Sequence, residues 1–200
     1  MHIFQYGKTE INHLQRRDKK LGLAIENIGM IERRVTPDLF TALVASVASQ
    51  QISAKAAETV WRRMEMCFGT IAPDTISSAS EEEIQQCGMS LRKAGYIKGI
   101  GDAVAGGDLD LAELPVLSDE EVIVRLTSLK GVGIWTAEML LIFSMERPDV
   151  VSWGDIAIRR GMMRLYGKES IDRQAFERYR KRYSPYGSVA SLYLWEISHR

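Results

Sequence analysis

Apolar residues recur every three or four positions along most of the chain, and no stretch sustains the alternation of a strand. Glu10 to Asn27 reads as one or two short polar helices containing His13 and the charged run Arg16-Arg17-Asp18-Lys19-Lys20. Thr36-Pro37-Asp38 offers a cap, a proline at the first helical position and an acid in the first turn. Phe40, Leu43, Val44, Val47 and Ala48 then mark a core-facing stripe that stops at Ser49-Gln50-Gln51-Ile52-Ser53, where Ser53 can cap a second helix, Ala54 to Met66. Ser80-Glu81-Glu82-Glu83 and Ser118-Asp119-Glu120-Glu121 are capping boxes, the second opening a helix with Val122, Ile123, Leu126 and Leu129 on its apolar side. Leu91 opens a helix reaching about Ala105, with Gly106-Gly107 as its stop. Gly99-Ile100-Gly101 lies inside it, and no separate apolar helix follows, so this Gly-x-Gly is not a turn. Leu109 to Leu117 and Asp149 to Trp153 read as connections. About ten short helices result, an all-α fold.

Lys130-Gly131-Val132-Gly133 is too short and too glycine-rich to continue the helix before it, and Ile134 to Met145 resumes a strongly apolar helical run. The unpaired N–H groups at the start of that second helix, with its dipole, suit a phosphate oxygen.

Two hundred residues suffice for one sizeable core without staples. Cys67 and Cys87 are the only cysteines, which excludes a disulfide framework and a four-cysteine cluster. No apolar run approaches the ~20 residues of a membrane span, and the polar segment Met1 to Gln15 does not read as a signal peptide. A cytoplasmic location (nuclear in a eukaryote) is expected, with no membrane partner and a monomeric state. The formal net charge is zero, which by itself argues against a nucleic-acid binder. Its distribution changes the picture. Residues 159–200 carry ten Lys/Arg against four Asp/Glu and 1–69 carry ten against seven, while 70–158 carry six against fifteen. Basic ends around an acidic middle are expected if one face meets DNA.

The run Leu129-x-Gly131-Val132-Gly133-x-Trp135-Thr136-Ala137, followed by Gly154-Asp155, resembles the helix-hairpin-helix DNA glycosylases, and among them the AlkA-type 3-methyladenine DNA glycosylases. The resemblance runs from about Phe40 to Trp195. It implies a two-lobed helical core over 1–200 with the active site in the cleft between lobes, the hairpin at about 118–145, and residues 1–35 as a helical extension. It further implies a monofunctional enzyme of base excision repair, which flips alkylated purines such as 3-methyladenine and 7-methylguanine out of duplex DNA. Hydrolysis of the N-glycosidic bond would leave an abasic site.

By position alone, Asp155 before Ile156-Ala157-Ile158 reads as an N-cap. The resemblance places the essential carboxylate there, and the two uses are compatible. Cleavage builds positive charge on the sugar, which an anion stabilises in the transition state more than in the ground state. Trp135 stands where bifunctional relatives such as endonuclease III carry a Schiff-base lysine, so no lyase activity is expected. An aromatic face instead attracts a cationic alkylated base. Trp135, Trp195 and Met139 match base-pocket positions, although Trp195 also reads as plain core on Val189 to Ile197. Trp153 replaces a usual proline and either adds a pocket wall or reshapes the loop. Gly131, Gly133, Thr136 and Lys130 would grip a DNA phosphate. The carbonyls of Thr127, Leu129 and Val132 would hold a monovalent cation, Na+ or K+, with no cofactor needed for catalysis. Gln51, with Gln50 as runner-up, matches the wedge that fills the gap left by an extruded base, against the simpler reading that both solvate the turn. His2, His13 and His199 are too scattered for a metal cluster or triad. The short N-terminal stretch predicts the compact form without an extra sheet subdomain, and two cysteines exclude an iron–sulfur cluster. The readings that remain beside this one are a glycosylase for another lesion (uracil, hypoxanthine, an oxidised base) and a non-catalytic DNA-binding helical module.

Overall fold

A computed structural model describes residues 2–200. The described residues form twelve α-helices, one 3-10 turn and a single antiparallel pair of two-residue strands, β1 (His2–Ile3) and β2 (Arg34–Val35). The fold is all-α, and it divides into two compact units.

The first unit combines residues 1–35 with 141–200. It holds α1 (Lys8–Arg17), α2 (Lys19–Ile28), α10 (Ile156–Tyr166), α11 (Arg173–Tyr183) and α12 (Gly187–His199). Residues 1–35 are therefore not an appended extension. Periodicity along the chain shows that these two N-terminal helices exist, but not what they pack against. α12 is the unit's core element, with Val189, Ala190, Leu192, Tyr193 and Leu194 all buried. It lies closest to α10, where a Cβ on Gly161 would sit 2.1 Å from the carbonyl oxygen of Leu194. Between α1 and α2 the buried Asp18 caps α2 through the N–H groups of Lys20 and Leu21. Its other oxygen accepts from Tyr166 at 2.7 Å and from Arg182 at 3.0 Å. His13 is tied to this unit too, 2.9 Å from the carbonyl of Ser184 and edge-on to Tyr186.

The second unit is residues 36–140: α3 (Leu39–Ser49), α4 (Ala54–Phe68), α5 (Pro73–Ser78), α6 (Glu81–Gln86), α7 (Leu91–Ala105) and α8 (Asp119–Thr127). α9 (Ile134–Phe143) carries the chain across the boundary and stops short of the Met145 expected from hydropathy. α3 starts later than the sequence suggests: Asp38, not Thr36, is its cap, accepting from Thr41 N–H at 2.7 Å, so Pro37 stays outside the helix. Either oxygen can cap, and the carboxylate one residue before Leu39 wins. Ser53, Ser80 and Ser118 cap as expected, and the loop before α8 contains a 3-10 turn at Leu114–Val116. α7 is the platform of the unit. It runs unbroken through Gly99-Ile100-Gly101, and Gly101 is there for packing, because a Cβ would meet Ile76 of α5 at 2.8 Å.

The unit boundaries regroup the charge. The first unit carries eighteen Lys/Arg against eleven Asp/Glu, the second eight against fifteen. Residues 1–35 fold with the basic C-terminal stretch, while 36–69 join the acidic middle.

Candidate active site

In the second unit, Leu126 to Gly133 closes a tight hairpin. Leu129 N–H donates to Leu126 O, and Val132 N–H to Leu129 O, both at 3.2 Å. Gly131 has φ +88, a left-handed conformation that glycine alone adopts freely. A Cβ there would also lie 2.4 Å from the Tyr96 ring of α7, so position and space both require glycine. Gly133 faces open space, with nothing within 4 Å of where its Cβ would be. Ala137 N–H is bonded to Gly133 O at 3.0 Å, which makes Gly133 the cap of α9 and leaves Thr136 N–H in the first turn, ahead of the intrahelical ladder. Lys130 is exposed beside it. The Thr136 side chain is buried, so its contribution to an anion is the backbone N–H. Trp135 is 46% exposed and Met139, one turn on, half-buried.

The turn after α3 separates the two glutamines. Gln50 is turned inward: its Nε2 donates to the carbonyl of Gly131 at 2.9 Å. Gln51 is exposed and holds φ +57, one of two non-glycine residues at positive φ among those described. The runner-up is thus occupied and the first choice projects. Lys93 of α7, which pattern reading did not single out, donates through Nζ to Ala48 O at 3.0 Å and to Gln50 O. Burial holds the pKa of this ammonium below the ordinary lysine value.

In the first unit, Asp155 is buried and caps α10 through Ile158 N–H at 2.9 Å. The segment leading to it is fastened to α12. Ser188 Oγ donates to Arg147 O and accepts from Val150 N–H, and Ser191 Oγ donates to Val150 O. Asp149 accepts from Ser184 Oγ and Gly187 N–H. These serines carried no signal in the pattern, since on a helix their usual reading is polar surface. Trp153 sits on Phe176 edge-to-face at 5.1 Å, with the guanidinium carbons of Arg159 and Arg173 at 4.9 and 5.4 Å from its ring centre. Protein cations thus engage the ring and anchor the loop before Asp155. Trp195 is half-buried, its ring 5.4 Å from that of Phe143. Arg159 and Arg160 follow Asp155 by one turn and line a depression along α10 with Ile156 and Met163.

The described residues contain no cluster of three or more His, Cys, Asp or Glu that could hold a metal. No described helix is long and apolar enough to cross a membrane.

Known proteins resemble this chain in sequence and in fold. The chain is 36% identical over 161 residues to DNA-3-methyladenine glycosylase 1 of Schizosaccharomyces pombe, covering 78% of this chain and 71% of that protein. Its fold superimposes on a DNA-3-methyladenine glycosidase from Bacillus halodurans with TM-score 0.88 and 37% identity, over 99% of this chain and 93% of the other. A 3-methyladenine DNA glycosylase of S. pombe in complex with abasic DNA aligns with TM-score 0.83 and 31% identity, over 96% and 98% of the two chains. The family model described as HhH-GPD superfamily base excision DNA repair protein matches residues 44–185, which takes in the glutamine turn, the hairpin and Asp155. The chain belongs to the HhH-GPD superfamily of base excision DNA repair proteins.

Proposed function

We propose that this protein is a monofunctional DNA-3-methyladenine glycosylase acting in base excision repair. The reading is carried by the buried Asp155 that caps α10, at the position where the resemblance puts the essential carboxylate, and is supported by an exposed Trp135 where bifunctional relatives carry lysine. Relatives bearing the 3-methyladenine glycosylase name support the substrate class. An alkylated purine carries positive charge, so it is bound by an aromatic face and leaves readily. The bond between its nitrogen and the sugar breaks, the base takes the electron pair, and water supplies the new oxygen bond at the sugar carbon and loses a proton. Asp155 would stabilise the developing sugar cation and orient that water. Trp135, Met139 and Trp195 would contact the extruded base. 3-Methyladenine and 7-methylguanine are the expected lesions, in double-stranded DNA bound by a monomer.

The hairpin would hold a phosphate through Gly131, Gly133 and Thr136 N–H groups, with Lys130 beside them. The second unit is net acidic, so this grip rests on backbone dipoles, which read no sequence. Thr127 ends α8 and Val132 precedes α9, so their carbonyls lie at positions that intrahelical bonding leaves open, and Leu129 O has one lone pair beyond the Val132 bond. These three oxygens suit a hard monovalent cation shared with DNA. A cytoplasmic or nuclear location follows from this substrate.

Methylated duplex DNA incubated with wild type and with Asp155→Asn tests the reading. Release of 3-methyladenine or 7-methylguanine by wild type alone, with strand breaks only after alkali, is the expected result. Breaks without alkali would refute the monofunctional assignment. Activity confined to uracil, hypoxanthine or oxidised bases would move the substrate, and salt-sensitive binding with no release would leave a DNA-binding module.

A further inference from the structure

α7 touches both the glutamine turn and the hairpin of the second unit. Three residues apart on it, Lys93 binds the carbonyls that end α3, and Tyr96 closes over Gly131. Arg92 Nε in turn donates to the Tyr96 hydroxyl at 2.6 Å, holding that ring. Gln50 then bridges the turns directly, from the residue before Gln51 to the carbonyl of Gly131, 81 positions away. Gln51 has φ +57, a conformation costing a non-glycine residue on the order of 1 kcal/mol and retained only where surroundings over-determine it. Here the surroundings are Lys93 and Gln50.

We propose that Gln50 and Lys93 are positioning residues that lock the exposed Gln51 turn to the phosphate-gripping hairpin, so that gripping the strand drives Gln51 into the base stack. The inference rests on the function proposed above and deepens it: it names the device by which backbone binding is converted into base extrusion. Binding energy from the phosphate is thereby used on an unstacking step that costs a few kcal/mol. Neither residue touches the reacting bond. Their loss should therefore slow excision only where the lesion must be pulled from a pair.

The test uses Gln50→Met, which keeps length and removes the donor, together with Lys93→Met and Lys93→Arg. Two substrates carry the same 7-methylguanine, one paired with cytosine and one in a single-nucleotide bulge. A third duplex carries 2-aminopurine beside a stable abasic analogue and reports unstacking by fluorescence without any base release. Gln50→Met is expected to slow single-turnover release from the paired site about tenfold, the worth of one hydrogen bond, while bulge release stays within about twofold of wild type. Its 2-aminopurine signal falls in parallel at saturating protein, and its urea unfolding stays cooperative with a midpoint lowered by no more than one hydrogen bond's worth. Lys93→Met behaves likewise, and Lys93→Arg recovers most of the paired rate. Equal slowing on both substrates, or no slowing on either, overturns the coupling. If wild type releases no 7-methylguanine, that lesion assignment fails, and the fluorescence comparison still decides the coupling, since it needs only bound DNA.

Discussion

Gly161→Ala is the substitution whose cost the structure specifies most closely. A Cβ at this position would lie 2.1 Å from the Leu194 carbonyl oxygen, 2.8 Å from its carbon and 3.1 Å from its Cα. All three are backbone atoms of a buried helix, so no rotamer change relieves the clash. Reaching ordinary contact requires α10 and α12 to part by about 1 Å locally, an overpacking cost of about 1–3 kcal/mol or more. The better helix propensity of alanine returns about 1 kcal/mol. A clash this close takes the upper end of that range, so a net loss of about 2 kcal/mol is expected in urea denaturation. Gly99→Ala is the internal control. It lies in α7 with nothing within 4 Å of the added methyl, so the propensity gain stands alone and the midpoint rises. The functional consequence comes from what the two helices carry. Asp155 caps α10 and Trp195 follows Leu194 on α12, so a shift of about 1 Å between them moves the carboxylate relative to that ring, and displacements of this size cost on the order of a hundredfold in rate. Single-turnover base release, measured well below the unfolding midpoint, should therefore fall with Gly161→Ala and not with Gly99→Ala. A Gly161→Ala protein as stable as wild type would show that the helices part at no more cost than the propensity gain returns. One that is destabilised yet fully active would show that their spacing does not set Asp155.

Asp155→Asn keeps an N-cap of equal strength, so its urea midpoint should shift by no more than a few tenths of a kcal/mol while base release drops about a hundredfold or more. A comparable loss of stability would instead make the carboxylate structural. Gly131→Ala combines strain at φ +88 with a methyl 2.4 Å from the Tyr96 ring, and should cost about 2–3 kcal/mol and weaken DNA binding; wild-type affinity with wild-type stability would contradict the hairpin assignment. Asp18 gives a pH dependence. Burial pulls its pKa up, but hydrogen bonds from Leu21 N–H, Tyr166 and Arg182 outweigh burial and hold it below the ordinary carboxyl value. Because the folded value is the lower one, this stabilisation is complete above about pH 4 and is lost as pH falls through the folded pKa. The stability gap between wild type and Asp18→Asn should therefore be widest near neutrality and close in acid, as urea midpoints against pH will show; a gap independent of pH would exclude the carboxylate charge as its source.

Read alone, the sequence determined whatever rests on neighbours a few residues apart. Ser53, Ser80 and Ser118 announce helix starts because each bonds an N–H group three positions on. The hairpin is visible because glycine is needed for its backbone, and Asp155 because a cap and a motif position coincide there. Only the tertiary structure decided what depends on residues far apart in the chain. No periodicity marks Lys93 as the partner of Ala48 and Gln50, or separates Gln50, bonded to Gly131, from the exposed Gln51. Gly161 looks like any mid-helix glycine until Leu194 is laid against it. Residues 1–35 look like an extension until they are found beside α12. The physical reason is common to all of these. Short-range hydrogen bonds leave their donors and acceptors at fixed spacing in the chain, whereas a contact across 30 or 80 residues is set by how whole helices pack and leaves no spacing to read.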